Sequence, residues 1–246
     1  MKVFSLGIEQ GEKIGFQKAD LLLPISEFTL RQINLNYGYN NEKIKVMNNA
    51  VDTTLFYPHK KNTEELEPTF LFVGRLYAIK GIDIFLDALE ILSKKGLKFK
   101  VLIVGRGETE RVEKRLLEIL PPQKFEVKGR VNYFNMPEVY SNSDILVVSS
   151  IYENFPTTIL EAMSTKTLVV APAVGGITEI VKDKLNGFLF ETGNALQLAD
   201  ILTKIINKNY DVEKICENAR TIVLEKFDWK KRGREIFEEY KKVENL

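Results

Sequence analysis

The sequence predicts an α/β protein built on a doubly wound parallel sheet, and three observations carry that reading. From Thr69 onward, short runs of apolar residues alternate with longer segments whose apolar positions recur at helical spacing. The apolar runs are nearly continuous, as strands buried on both faces must be. Gly- and Pro-containing turns separate the two kinds of segment. Right-handed crossovers then give a Rossmann-like domain with helices on both sides of the sheet.

Taken in order, Thr69–Val73 (TFLFV) reads as a strand, closed by a Gly74-Arg75 turn. Ile82, Phe85, Leu86, Leu89 and Leu92 then mark one face of a helix that Gly96 stops. Phe99–Val104 is the next strand, and Glu108–Leu120 is a charged amphipathic helix halted by Pro121-Pro122. Phe125–Lys128 is a short strand, Met136–Asn142 a short helix and Asp144–Ser149 a strand. Pro156–Ser164 (helix), Leu168–Ala171 (strand), Ile177–Lys182 (helix) and Phe188–Phe190 (strand) continue the alternation. Helices over Ala195–Asn207, Val212–Lys226 and Trp229–Val243 close the chain.

The first 58 residues differ in character. Asp20–Ile25 and Lys43–Met47 read as strands flanking a helix at Glu27–Tyr37. Such a piece is too small to enclose a core of its own. Residues 59–68 are polar and acidic and read as a linker. The expected organisation is therefore an incomplete N-terminal piece (1–58), a linker (59–68), a Rossmann-like domain (69–226) and a closing helical segment (227–246).

Composition narrows the chemistry. Thirty-five basic against 34 acidic residues give a net charge of +1, which supports no nucleic-acid partner. One histidine (His59) and one cysteine (Cys216) cannot build a His/Cys metal site. A Ser-His-Asp or Cys-His mechanism would depend on His59, which stands in a polar stretch. Cys216 cannot form an intrachain disulfide, and no apolar run approaches the ~20 residues of a membrane span. The expected location is the cytoplasm, either free or at a membrane surface.

Two constellations fall on the carboxyl rim of the predicted sheet, where open α/β sheets bind ligands. Glu153-Asn-Phe-Pro-Thr-Thr-Ile-Leu-Glu161 links a strand to a helix, with Pro156 near the first helical turn. Thr157 and Thr158 present early helix N–H groups, which attract anions. Read blandly, this is a solvated glutamate and a capping loop. The other, Val73-Gly74-Arg75-Leu76-Tyr77-Ala78-Ile79-Lys80-Gly81, puts a guanidinium and an ammonium after the first strand, able to neutralise a diphosphate. Its bland reading is two exposed basic residues. Gly105-Arg106-Gly107 lacks the third glycine of a dinucleotide fingerprint, since Glu110 stands there. Gly175-Gly176 forms a third rim loop, suited to close approach of a sugar or to a tight turn. No Asp-x-Asp exists to hold a metal on a nucleotide diphosphate.

At these residues the sequence resembles the GT-B glycosyltransferases of retaining family four, the glycosyl transferases group 1. The matching segments are VGRLYAIKG (73–81), FEVKGRV (125–131), ENFPTTILEAM (153–163) and VGGITEIV with KLNGFLF (174–190). KADLLLPIS, KIKVMNNAVDTTLFYP and the late FDW resemble the end of the family's first domain, its crossover and its closing segment. Asn49-Ala50 replaces the family's Asn-Gly. The resemblance implies that Arg75 and Lys80 bind and stabilise the donor diphosphate and that Glu153 contacts the donor sugar. It implies that Glu161 accepts from the ribose, that Arg130 and Val131 lie beside the base, and that Gly74, Phe155, Pro156, Thr157 and Thr158 complete the donor site. It further implies metal-independent transfer with retention, no cofactor, and a nucleotide sugar and an acceptor (glycan, lipid or small molecule) as partners. Most of the family's acceptor-binding domain has no counterpart here. The chain is thus expected to be a donor-binding half, as a fragment, a truncated reading frame or a subunit of a split enzyme. Its N-terminal piece is expected to pair with a second copy, to dock a separate acceptor-domain chain or to remain mobile, self-association being the first choice. A non-catalytic nucleotide-sugar binding module is the alternative, and an epimerase of related fold is disfavoured by the motifs.

Overall fold

The computed structural model describes residues 11–38, 43–59 and 67–244. Six strands form one all-parallel sheet: β1 (Thr69–Val73), β2 (Lys100–Val104), β3 (Phe125–Lys128), β4 (Ile145–Val147), β5 (Leu168–Pro172) and β6 (Phe188–Phe190). Their spatial order is β3-β2-β1-β4-β5-β6. The chain winds outward from β1 to β3, then returns to the other side of β1 and winds outward again. The order reverses between β1 and β4, so the loops leaving these two neighbouring strands diverge and leave a crevice at their carboxyl ends.

The helices described are α1 (residues 11–18), α2 (Glu27–Tyr37), α3 (Ile82–Lys94), α4 (Thr109–Ile119), α5 (Met136–Ser141), α6 (Thr157–Ser164), α7 (Ile177–Ile180), α8 (Ala195–Ile206), α9 (Val212–Lys226) and α10 (Trp229–Glu244). Strand side chains alternate between two buried layers. Phe70, Phe72, Ile103, Val147 and Val170 meet α3, α4 and α8 in one core. Leu71, Leu146, Val169 and Ala171 meet α5, α6, α7 and α9 in the other. Both faces of the inner sheet are therefore covered, which explains why its strands lack polar alternation, whereas edge strand β3 exposes Glu126 and Lys128. Among the described residues no helix is long and apolar enough to cross a membrane.

The expected strands at Asp20–Ile25 and Lys43–Met47 do not form. Only one isolated parallel bridge, Leu22 to Ile44, joins the two extended segments. Leu22 N–H donates to the Lys43 carbonyl, and the Lys45 and Met47 N–H groups donate to Leu22 and Pro24. The next donor of the ladder would be Pro24, which has no N–H. Nor is the segment as open as its sequence suggests: Leu21, Leu22, Leu23 and Ile25 are half-buried and Pro24 is buried.

The N-terminal piece is tied to the sheet domain by specific groups. Ser26 caps α2 through its hydroxyl, which accepts from Thr29 N–H at 2.9 Å. The Glu179 carboxylate of α7 accepts from Glu27 and Phe28 N–H at 3.0 and 2.8 Å, placing negative charge at the same helix N-terminus. Val51 exchanges backbone hydrogen bonds with Phe227 and Trp229, and Thr53 Oγ1 donates to Asp228 Oδ2 at 2.5 Å. Lys45 pairs with Glu239 on α10.

Candidate donor site at the sheet switch point

Three rim loops converge here because glycines let backbones touch. Gly81 has φ +65°, and a Cβ there would lie 1.8 Å from the Ser149 carbonyl oxygen. The close approach is sealed by Ile151 N–H donating to Ile79 O at 3.0 Å and Ser149 Oγ donating to Gly81 O at 2.7 Å. The loop after β1 is thus pinned to the loop after β4. At Gly176 a Cβ would stand 1.7 Å from the Asn154 carbonyl oxygen, and Gly176 N–H donates to Glu153 O at 3.1 Å. The Gly175-Gly176 loop therefore approaches the Glu153-Asn154 backbone and fixes it in place.

Pinning brings the charged residues together. Lys80 Nζ lies 2.5 Å from Glu153 Oε1, and Ser150 Oγ donates to the same oxygen at 2.7 Å. Glu153 is nearly enclosed, its side chain 12% exposed, whereas Lys80 keeps 26%. The guanidinium of Arg75 is exposed and has no ion-pair partner among the described residues. Arg75, Lys80 and Glu153 line a cleft of about 340 Å³ with Ile25, Ile79, Tyr152, Asn154 and Phe155. Ile25 comes from the N-terminal piece. The cleft is thus one free cation, one cation–carboxylate pair and apolar walls, with the first turn of α6 opening just beyond Phe155.

The remaining candidates occupy different positions. Gly74 ends β1, its N–H donating to Val104 O at 3.0 Å. Its carbonyl oxygen would lie 1.7 Å from a Cβ on Gly105, so the Gly105-Arg106-Gly107 turn serves close strand packing. Phe155 is buried against Phe227, ring centroids 5.6 Å apart, and its carbonyl accepts from Asn49 Nδ2 at 2.9 Å. Pro156 precedes α6, Thr157 is exposed and Thr158 half-buried. Arg130 is exposed after β3, and Val131 rests against the second core. Neither belongs to the lining of the 340 Å³ cleft.

Glu161 lies outside that lining too, buried within α6 at 9% exposure. Tyr140 OH donates to its Oε2 at 2.7 Å. Burial pushes the Glu161 carboxyl above its ordinary range, and hydrogen bonds from Tyr140 and Thr157 hydroxyls draw it partly back. Burial, then the charge of Glu161, raises the Tyr140 phenol well above its usual value. Sequence reasoning passed over Ser150 and Tyr140. Ser150 sits three residues before Glu153, a local hydroxyl–carboxylate spacing that could have marked it. Tyr140 looks like any aromatic on the buried stripe of a short helix.

Comparison with known proteins decides the family. The model for "Glycosyl transferases group 1" matches residues 55–222. This chain belongs to that family. It is similar to a glycosyltransferase of Methanocaldococcus jannaschii, with 28% identity over 250 residues, covering 96% of this chain and 64% of that protein. Among solved structures, a glycosyltransferase from Rickettsia africae superposes with a TM-score of 0.84 at 26% identity, covering 95% of this chain and 67% of the other. HepE of Anabaena, crystallised with UDP-glucose, gives 0.78 at 23% identity over 93% of this chain and 64% of its own, a likeness of fold. The sheet is accordingly the Rossmann-like half of a GT-B glycosyltransferase fold. The chain spans 64% of the M. jannaschii relative and as little as 36% of another, a glycogen synthase.

Proposed function

We propose that the switch-point cleft binds a nucleotide-diphosphate sugar and that the chain is the donor-binding half of a retaining, family-four glycosyltransferase. The observation that carries this reading is the exposed Arg75, without an ion-pair partner among the described residues, beside the Lys80–Glu153 pair at the carboxyl ends of β1 and β4. Arg75 offers a planar fork to diphosphate oxygens, and Lys80 retains N–H donors beyond the one directed at Glu153. As the glycosidic bond to the diphosphate breaks, negative charge grows on the leaving oxygens, and these two cations stabilise it. Glu153, held by Lys80 and Ser150 through Oε1, has Oε2 left to accept from donor-sugar hydroxyls. Glu161 receives the ribose hydroxyls, and Gly74, Phe155, Pro156, Thr157 and Thr158 line the path between sugar and phosphate. Arg130 and Val131 lie on the base side.

No metal is assigned a step, because the two cations already meet the diphosphate charge. No group of three metal-ligating side chains occurs among the described residues. The donor-binding unit is read as residues 69–226. The acceptor is read as a glycan, lipid or small molecule. Cytoplasmic residence, free or at a membrane surface, fits the single buried Cys216. A thermal-shift screen of nucleotide sugars, followed by a transfer assay with the bound donor, tests the reading. Binding with retention at the transferred anomeric centre supports it. Binding with no transfer, even with an acceptor-domain chain added, leaves a nucleotide-sugar binding module instead. Absence of binding by every nucleotide sugar overturns both.

A further inference from the structure

We propose that Tyr140 is a positioning residue of the donor site, its hydroxyl fixing the orientation and charge of the Glu161 carboxylate that receives the ribose. This rests on the donor-site reading above.

Geometry comes first. Tyr140 is fully buried, and its hydroxyl meets Glu161 Oε2 at 2.7 Å across the α5–α6 contact. The residue is held at its backbone and at its ring. Its own carbonyl accepts from Thr167 Oγ1 at 2.8 Å, and the Phe56 ring stands edge-on at 6.1 Å between centroids. Phe56 is in turn fixed because its carbonyl accepts from the buried Ser164 hydroxyl of α6. A phenol so enclosed has one direction in which to donate, and Glu161 occupies it. Oε2 is thereby fixed, and with it the plane of the carboxylate.

Charge follows from the same surroundings. The polar groups facing Glu161 are Tyr140 from α5, Thr157 from its own helix and Tyr133 from the turn before α5, with Asp52 acting on Tyr133 in turn. No Lys, Arg or His of the described residues contributes to the balance at Glu161. A buried carboxylate without a cation depends on hydroxyl donors to remain ionised. Tyr140 is suited to that task, since its own proton is held far too tightly to be lost near neutrality. Ribose hydroxyls donate more strongly to an ionised acceptor, and a protonated carboxyl gives up part of its acceptor capacity to its own proton. A core aromatic that merely fills space would have no use for the hydroxyl.

Tyr140→Phe separates the two roles, because it retains the ring. In the ligand-free protein, the Glu161 side-chain carboxyl is titrated by ¹³C NMR. Its midpoint is expected to rise in the variant, which lacks the Tyr140 donor that draws it down. UDP, GDP, ADP and their 2′-deoxy counterparts are then titrated by calorimetry across a pH series. The tightest ribonucleoside diphosphate should bind the variant roughly tenfold more weakly at the acid end of the series, equivalent to 1.4 kcal/mol, and recover as pH rises. Its 2′-deoxy counterpart should lose less. An unmoved carboxyl midpoint, or equal losses for the two sugars, would return Tyr140 to a purely space-filling role. If Tyr140→Phe does not fold, Glu161→Gln, which cannot ionise, carries the test: the preference for ribose over 2′-deoxyribose should lose its pH dependence, and persistence of that dependence overturns the proposal. Failure of the unmodified protein to bind any of the six ligands would refute the donor-site reading itself, a result distinct from these.

Discussion

Gly176→Ala probes how the rim loops are set. Gly176 has φ −74°, a backbone angle any residue adopts, so the substitution introduces volume without conformational strain. The added Cβ would lie 1.7 Å from the Asn154 carbonyl oxygen, against the 3.0 Å below which real Cβ contacts are essentially never seen. The Glu153-Asn154 backbone must retreat by about 1.3 Å, since the obstructing atom is main chain and cannot rotate away. Overpacking of this kind costs roughly 1–3 kcal/mol of stability. In a chain of this size each kcal/mol lowers Tm by roughly 2–4 °C. The larger effect should be functional, because Glu153 sits on the displaced segment and loses its register with Lys80 and Ser150. Loss of one charge-assisted hydrogen bond to the sugar weakens nucleotide-sugar binding by about 1.5–3 kcal/mol, or roughly 10- to 150-fold. The bare nucleoside diphosphate, which lacks the sugar, should lose much less. Calorimetric titration of both ligands, alongside a thermal melt, measures the contrast. A folded Gly176→Ala variant that binds the nucleotide sugar as tightly as the parent would refute the claim that this approach positions Glu153.

Other consequences are simpler to check. Arg75→Ala should leave Tm unchanged, because the side chain is exposed and without an ion-pair partner among the described residues, yet weaken nucleoside-diphosphate binding by about 1.5–3 kcal/mol; equal affinity would remove Arg75 from the site. Glu161→Ala should cost more affinity for the bare nucleoside diphosphate than Glu153→Ala, and equal losses would undo the division between ribose and sugar. EDTA should leave donor binding intact, whereas a strict requirement for Mg²⁺ or Mn²⁺ would contradict a purely cationic diphosphate site. The Cys216 thiol is buried, and that burial pushes its pKa up to about 12, so native protein near pH 8 should resist alkylation until unfolded; rapid labelling of folded protein would contradict the packing around α9.

Much of this architecture was legible because buried parallel strands leave a strong mark. TFLFV, KVLIV and LVVAP carry almost no polar residues, and the structure forms strands there. Glycine positions were legible as punctuation, while their purpose was not. Gly105 and Gly176 resemble ligand-facing turns in sequence, yet each makes room for a neighbouring carbonyl. The N-terminal piece was misread because apolar runs such as DLLLPI score as strand regardless of a partner. Whether a ladder forms depends on the opposing segment and on Pro24, which interrupts it. Lys80 and Glu153 were identified separately from their loops; their contact follows from β1 and β4 being neighbours, a property of strand order. Tyr140 was hidden for a related reason. Its partner lies 21 residues away on another helix, and helical periodicity alone marks it as core.

The central claim, that the β1–β4 switch point is a nucleotide-sugar site, is tested most directly by a crystal structure of the protein with a bound nucleoside diphosphate. The account predicts diphosphate oxygens within hydrogen-bonding distance of Arg75 and Lys80, with the ribose hydroxyls directed at Glu161. A nucleotide bound instead in the cavity of about 370 Å³ between Tyr57, His59 and Phe134, with Arg75 and Lys80 untouched, would contradict it.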